Sequence, residues 1–289
     1  MKVGILGQQK SWYVRALQAV LTRHGIHAPC FPITRLAARL SASPRIAASS
    51  DPLDDYDVLF VRAIPGGSLE QIIFRMDALH SLENAGVHII NSPTTIERTV
   101  DKYYTMTLME DAGLPTPRTI VTERFDEALS AFHELGGDIV VKPLFGSQGR
   151  GMVRISDIET AYRVFRALEL GRYVYCLQEF VPHGCEDIRV FVVGGKVAAA
   201  MLRQGQTWKT NVAQGAKASP LEPDDTLREM SILATQSLGA IYAGVDILAM
   251  DKGGYTLIEV NGIPGWRKLQ STTGINVAEH LVDCVLSET

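Results

Sequence analysis

VDILAMDKGGYTLIEVNGIPG, from Val245 to Gly265, is the stretch on which the reading of this chain turns. Two apolar runs, Val245 to Met250 and Tyr255 to Val260, flank Asp251-Lys252-Gly253-Gly254, a composition that predicts a tight reversal and hence a β-hairpin. With the turn centred between Lys252 and Gly253, residues whose numbers sum to 505 face each other. That sets Asp246 against Glu259 and Gly244 against Asn261. Directly opposed residues lie about 4.5 to 5.5 Å apart at Cβ, and like charges so placed repel, so the pair asks for a cation. Carboxylate and amide oxygens suit Mg2+ or Mn2+, and Gly244 beside Asn261 leaves room for an ion and its waters. A solvated acidic face on an ordinary hairpin is the other reading of the same residues.

The rest of the composition narrows the field. A chain of 289 residues exceeds the usual single-domain size, and a hydrophobic fraction of 46% supports two or three well-buried units. A formal charge of −4 without a basic block argues against nucleic acid or acidic membranes as the main partner. Cys30, Cys176, Cys185 and Cys284 show no metal-binding spacing, and neither a signal peptide nor an 18-residue apolar run is present. A reduced, soluble, cytoplasmic protein is expected.

Outward from the hairpin, the chain divides by pattern. Met1 to Leu6 reads as a strand, followed by a helix with Tyr13, Leu17, Val20 and Leu21 on one face. Glycines stand only at Gly4 and Gly7, so the dinucleotide fingerprint GxGxxG is missing. Ala37 to Pro52 reads as a loop or linker, and Asp57 to Arg62, Leu69 to Leu82 and Gly86 to Ile90 as strand, helix and strand. Residues 1 to 93 thus form a parallel α/β unit. Thr94 to Gly113 reads as one helix with Lys102 inside it, stopped before Pro115 and Pro117. Residues 118 to 178 form a small α+β unit. From 179 to 289 come a hairpin across Gly194-Gly195, a loop from Gln204 to Pro220, a helix from Asp225 to Leu238, the hairpin already described and a last helix from Asn276 to Leu286.

Four constellations carry chemistry. KPLFGSQGRGMV, Lys142 to Val153, places three glycines between two strands, where backbone N–H groups can lie over phosphate oxygens; a merely flexible turn is the alternative. The GKS or GKT of a Walker A loop is absent. Gln178-Glu179-Phe180-Val181 ends a strand whose backbone can pair with the edge of an adenine ring, or can be a plain strand end. In the Gly194-Gly195 hairpin a two-residue turn sets Glu186 against Arg203 and puts Asp187 and Arg189 on the opposite face. Those arginines either form structural ion pairs or fork onto a carboxylate or phosphoryl group. Trp208, Lys209 and Asn211 lie on a polar loop able to close over a substrate. The histidines are scattered singly, with no metal cluster and no Ser/His/Asp triad.

Taken together, Lys142 with GSQGRG at 146–151, QEF at 178–180, DIRVFVVGGKV at 187–197, TNVAQG at 210–215, GVDIL at 244–248 and EVNGIPG at 259–265 resemble ATP-grasp ligases of the RimK type, the alpha-L-glutamate ligase family. Order and spacing match over nearly the whole chain, and no single motif carries the likeness. The resemblance implies an ATP-grasp fold: an N-terminal parallel α/β unit (1–93), then an ATP-grasp domain (94–289) made of a central lid (118–178) and a C-terminal lobe with an antiparallel sheet (179–289). It implies that Lys102 and Lys142 touch ATP phosphates under Gly146, Ser147, Gln148, Gly149 and Gly151. Gln178, Glu179, Phe180 and Val181 would hold adenine and ribose, with Asp187, Asn211, Val212 and Ala213 as further nucleotide positions. Asp246, Glu259 and Asn261 would bind two Mg2+ or Mn2+ ions, and Arg203, with Lys142 and Asp187, would serve catalysis near the acyl phosphate.

One departure bears on the acceptor. Ribosomal-protein-modifying members usually carry two small polar residues before Pro-Gly, whereas this chain has Asn261-Gly262-Ile263-Pro264-Gly265 and then Trp266-Arg267-Lys268-Leu269. That continuation resembles relatives that add glutamate to pterin or deazaflavin coenzymes, including tetrahydromethanopterin:glutamate ligases. The implied activity joins L-glutamate, or another amino acid, to a small carboxylate acceptor or a protein C-terminus, releasing ADP and phosphate in a homo-oligomeric enzyme. A small-molecule kinase on the same fold and a non-catalytic nucleotide-binding regulator are the rival readings.

Overall fold

The computed structural model describes residues 1–146, 149–210, 215–251 and 253–288. Ser147, Gln148, Asn211, Val212 and Ala213, named above as nucleotide positions, lie outside that set, as does Lys252 of the central turn.

The chain begins with β1 (Val3–Leu6), α1 (Trp12–Arg23), β2 (Cys30–Phe31), β3 (Leu36–Ala38), β4 (Ile46–Ala48), β5 (Asp51–Pro52), β6 (Val58–Val61), α2 (Leu69–Asn84) and β7 (His88–Ile90). Strands β2-β1-β6-β7 form a parallel sheet. Val58 to Val61 are all buried, as befits strands covered on both faces. The expectation of a loop over Ala37 to Pro52 is corrected: β3-β4-β5 form a small antiparallel sheet there. Ile46 and Ala48 pack with Ile33, Leu36 and Leu53 into the core, and Asp54 accepts the Ile46 N–H at 3.0 Å. Alanines supply no alternation of large apolar residues, so the pattern was invisible although the small side chains pack well.

Next come α3 (Pro93–Val100) and α4 (Lys102–Asp111), two helices where one was expected. The break is at Asp101, whose extended backbone (φ −87°, ψ 106°) lets its carboxylate accept the Tyr104 N–H at 3.1 Å. An acidic N-cap starts a new helix without any Gly or Pro to announce it. Lys102 therefore opens α4 rather than sitting mid-helix.

Next in the chain are β8 (Thr119–Thr122), α5 (Phe125–Glu134), β9 (Ile139–Lys142), β10 (Val153–Ile155), α6 (Ile158–Leu170) and β11 (Tyr175–Glu179), which gather round one sheet. That sheet runs β10-β9-β11-β8, antiparallel throughout, over a core that includes Phe132, Phe165 and Tyr175. The remainder is β12 (Glu186–Val193), β13 (Lys196–Gln204), β14 (Lys217–Pro220), α7 (Asp225–Ser237), β15 (Tyr242–Ala249), β16 (Tyr255–Asn261), α8 (Arg267–Thr273) and α9 (Val277–Glu288). The sheet order is β14-β13-β12-β15-β16. Here too the expected loop from Gln204 to Pro220 is corrected, because its last four residues pair with β13 as an edge strand ending in proline. Helix α8 was not expected either.

Two β-bulges decide which side chains meet. In the first hairpin Val193 pairs with Lys196 next to the turn, but the register slips between Phe191 and Val192, leaving Ala198 extra. Glu186 therefore faces Gln204, to which it is hydrogen-bonded at 2.9 Å, and Asp187 faces Arg203. The expected Glu186–Arg203 pairing is wrong by one residue, and Asp187, Arg189 and Arg203 share one face. In the second hairpin the turn is longer than two residues: Gly253 N–H donates to the Met250 carbonyl at 2.9 Å, and Ala249 pairs with Tyr255. A bulge at Ile258 restores the register beyond it, so Asp246 does oppose Glu259 and Gly244 does oppose Asn261.

Candidate active site

The β10-β9-β11-β8 sheet and the C-terminal sheet face each other across a cleft lined by Lys102, Lys142, Gln178, Asp187, Asp246 and Glu259, among others. Asp246 and Glu259 thus point into one space, opposite two lysines. Ile258, the bulged residue, lines the same cleft beside Glu259, because a bulge turns two consecutive side chains toward one side.

On the β10-β9-β11-β8 sheet, Lys142 ends β9 and donates to Gln178 Oε1 at 2.5 Å, while Gln178 Nε2 donates to Thr119 Oγ1 at 2.9 Å. Burial pushes the Lys142 ammonium below the usual lysine range, opposed by the Glu259 and Asp246 carboxylates. Lys102 Nζ donates to the Gly146 carbonyl at 2.8 Å, tying the start of the glycine loop to α4. Gly151 adopts φ 76°, and a Cβ there would lie 2.8 Å from Pro143 Cγ, so glycine is required where the loop folds back. Lys209 Nζ, from the opposite side, donates to the Met152 carbonyl at 2.7 Å and bridges the cleft mouth.

The strand end 178–181 is more engaged than its sequence implied. Glu179 N–H donates to the Arg118 carbonyl at 2.9 Å, and the Glu179 carboxylate is gripped by the Arg118 backbone and guanidinium. Phe180 N–H donates to the Asp138 carbonyl at 2.9 Å, and the Arg154 guanidinium lies 3.4 Å over the Phe180 ring. Glu179, Phe180 and Val181 nonetheless line the cleft together with Pro117 and Val140.

From the C-terminal sheet comes a chain of buried charges. Arg203 forks onto Asp187 at 2.5 and 2.6 Å and also donates to Asp246 at 2.8 Å. Arg189 forks onto both oxygens of Asp246, the Nη2 bond measuring 2.7 Å. Thr210 Oγ1 donates to Asp187 at 2.6 Å. Asp187, Arg189, Arg203 and Asp246 are each at most 9% exposed. Burial pushes the Asp187 carboxyl up, with Arg203 opposing. On Arg203 burial works against the charge, but Asp246, Asp187 and Glu259 outweigh it and raise its pKa.

The space beside Gly244, expected to admit an ion, is instead crossed by Arg189: a Cβ at Gly244 would collide with its guanidinium. Arg189 is the functional-site residue whose position the sequence reading left undecided. Its signal was there, an Asp-x-Arg on one strand face, but which carboxylate it would meet depended on the pairing of β12 with β15. Asn261 Nδ2 lies 3.5 Å from the Gly244 carbonyl. Among the described residues no group of three His, Cys, Asp or Glu gathers round one point; the oxygens available to a metal are those of Asp246 and Glu259, opposed on the ladder, and of the Asn261 amide at the next same-face position of β16. That set of carboxylate and amide oxygens fits a hard divalent cation such as Mg2+.

Two antiparallel sheets closing on one cleft, lysines and a glycine loop on one side and paired carboxylates with forked arginines on the other, define a nucleotide-dependent site of the ATP-grasp kind. A family model described as the RimK-like ATP-grasp domain matches residues 99–285. The chain belongs to that family. It is 33% identical to a tetrahydromethanopterin:alpha-L-glutamate ligase of Methanococcus maripaludis, covering 99% of this chain and 98% of that protein. An alpha-aminoadipate–LysW ligase, LysX, of Sulfurisphaera tokodaii is 34% identical over 69% of this chain and 72% of its own length. Among solved structures, the ATP-grasp ligase PsnB with a minimal precursor superposes with a TM-score of 0.80 at 19% identity, covering 100% and 99% of the two chains. A second PsnB structure, with Mg and ADP, gives a TM-score of 0.77 at 20% identity. Those two likenesses bear on the fold. Among the described residues no helix is long and apolar enough to cross a membrane.

Proposed function

We propose that this chain is an ATP-dependent carboxylate–amine ligase that adds L-glutamate to a carboxylate-bearing acceptor. The observation that carries the reading is Asp246 and Glu259 side by side in one cleft, facing Lys142 and Lys102, with Asp246 joined to Arg189 and Arg203. Relatives matched over the whole chain are named as tetrahydromethanopterin:alpha-L-glutamate ligases, and others as alpha-aminoadipate–LysW ligases; in this reading the acceptor is a small coenzyme or a protein carboxylate.

In this reading Lys102 and Lys142 bind the ATP phosphates beneath the glycine loop, and residues 178–181 hold adenine and ribose. Asp246, Glu259 and Asn261 hold two Mg2+ or Mn2+ ions, which when bound neutralise charge on the β- and γ-phosphates. The γ-phosphoryl passes to an acceptor carboxylate oxygen as its bond to the β-phosphate oxygen breaks, giving an acyl phosphate and ADP. The glutamate amine then attacks the activated carbonyl and phosphate leaves. Arg203, oriented by Asp187, supplies fixed positive charge where the negative charge of the transferred group and of the tetrahedral intermediate develops. Lys209 and the glycine loop close the mouth against water, which would otherwise hydrolyse the acyl phosphate. The division into units 1–93, 118–178 and 179–289, a homo-oligomeric state and a cytoplasmic location belong to the same proposal.

The test is phosphate release across a matrix of amino acids and cellular coenzyme extracts, with mass spectrometry of the products. A mass gain of one glutamyl unit that requires glutamate, ATP and Mg2+ is the expected result. ADP formation that needs no amino acid would replace the ligase with a kinase, and nucleotide binding without turnover on any combination would leave a regulatory protein.

A further inference from the structure

Asn261, Gly262, Ile263 and Pro264 follow β16 and carry one of the proposed metal-binding groups. Two side chains from the N-terminal sheet, both outside the matched segment 99–285, hold this loop. Asn91, immediately after β7 and fully buried, donates through Nδ2 to the Gly262 carbonyl at 2.7 Å and to the Tyr242 carbonyl at 2.8 Å. Its Oδ1 accepts the N–H groups of Ile241 and Tyr242 at 2.8 and 3.3 Å. One amide thus spans the start of β15 and the end of β16, the two strands that bear Asp246 and Asn261. Arg62, immediately after β6, donates through Nη2 to the Pro264 carbonyl at 2.8 Å and through Nη1 to Tyr242 Oη at 2.6 Å.

The loop has little freedom elsewhere. A Cβ at Gly262 would collide with Thr99 Oγ1, and one at Gly265 would lie 2.6 Å from Tyr13 Oη. Pro264 Cβ and the Arg189 guanidinium border the same space, the one a Cβ at Gly244 would fill, so the loop lies next to the arginine that holds Asp246. Arg62 is 8% exposed, stacked 4.3 Å from the Trp266 ring, with Nε unpartnered and no carboxylate in ion-pair range among the described residues. A buried cation with only neutral partners is a poor device for stability. What it does supply is a rigid, two-pronged fix on Pro264 and Tyr242.

We propose that Arg62 and Asn91 are positioning residues: from the N-terminal sheet they set the place of the Asn261–Pro264 loop and thereby the affinity of the site for its divalent cation. The inference rests on the metal assignment made under Proposed function. Groups that orient metal ligands from outside the coordination shell typically change affinity by about 10- to 100-fold when removed.

The experiment measures Mn2+ binding by electron paramagnetic resonance in the full chain with a non-hydrolysable ATP analogue, beside metal-free nucleotide binding and thermal melting. The variants are Asn91→Asp, which keeps the acceptor and loses the donor to Gly262, Arg62→Met, and the milder Arg62→Lys. Thr95→Val is the control. Its hydroxyl bonds the Leu238 and Gly239 carbonyls at 3.2 and 2.9 Å and so ties α3 to the end of α7, next to the start of β15, without touching the loop. Expected are Mn2+ affinities lower by about 10- to 100-fold in Asn91→Asp and Arg62→Met, partial recovery in Arg62→Lys, and unchanged affinity in Thr95→Val. Metal-free nucleotide binding stays the same in all. Wild-type Mn2+ affinity in a folded Arg62→Met or Arg62→Lys protein, or an equal loss in Thr95→Val, overturns the inference while the metal site stands. Failure of the wild type to bind Mn2+ with nucleotide overturns the metal assignment and this inference together.

Discussion

Arg189 holds both carboxylate oxygens of Asp246, at a position where Asp246 is 2% exposed and Arg203 already donates to one of the same oxygens. The carboxylate proposed as a metal ligand is thus held on both oxygens by arginines. Glu259, its ladder partner, forms no ion pair among the described residues.

The two carboxylates should therefore respond differently to removal. Asp246→Ala leaves two buried guanidinium groups short of a partner and is expected to cost about 3 to 5 kcal/mol, read by urea denaturation. Glu259→Ala should alter stability by only about 0.5 kcal/mol and yet lower ADP release by on the order of 10²- to 10³-fold. Wild-type turnover in a well-folded Glu259→Ala protein would remove Glu259 from the site.

Lys142 makes the cleft sensitive to pH. Burial lowers its pKa in the free protein, and the arriving phosphates favour the charged form, so nucleotide binding takes up a proton in the window between the free and bound values. Affinity for ATP then falls as pH rises through the depressed value. The stability sign is opposite: the unfolded chain holds the Lys142 proton more tightly than the folded one, so stability rises with pH across the same window. Calorimetry of ATP binding in buffers of different ionisation enthalpy should report the proton uptake, and Lys142→Met should abolish it.

Asp101 is a cap with a functional load. Asp101→Ala removes the acceptor for the Tyr104 N–H and should cost about 1 kcal/mol of stability. Because Lys102 is the next residue, and its N–H and Nζ reach Leu144 and Gly146, the KM for ATP should rise while the KM for the amino acid stays constant. Steady-state kinetics with each substrate varied in turn will distinguish this from a general loss of folded enzyme.

The parallel N-terminal strands, the helix that starts at Asp225 and the opposition of Asp246 to Glu259 were all legible from residue order. These rest on local periodicity and on short-range pairing, which a linear pattern encodes. The pairing of Asp246 with Glu259 came out right although the turn beside it was misjudged, since the bulge at Ile258 offsets the longer turn. In the neighbouring hairpin the turn was short and the bulge alone shifted the register, so Arg203 met Asp187 rather than Glu186. Nothing in Val197-Ala198-Ala199 marks a bulge, because its position is set by packing on both faces of the sheet.

What the sequence by itself determined was the set of strands and helices that periodicity reveals and, through six spaced motifs, the family and most of the groups that line the cleft. The tertiary structure decided the partners: Arg189 on Asp246, Arg203 between two carboxylates, Lys102 on the glycine loop, and Asn91 and Arg62 on the loop after Asn261. The physical reason is distance along the chain. Asn91 and Gly262 are 171 residues apart and Arg62 and Pro264 are 202 apart, and such contacts follow from how whole sheets stack, which no local pattern of side chains contains.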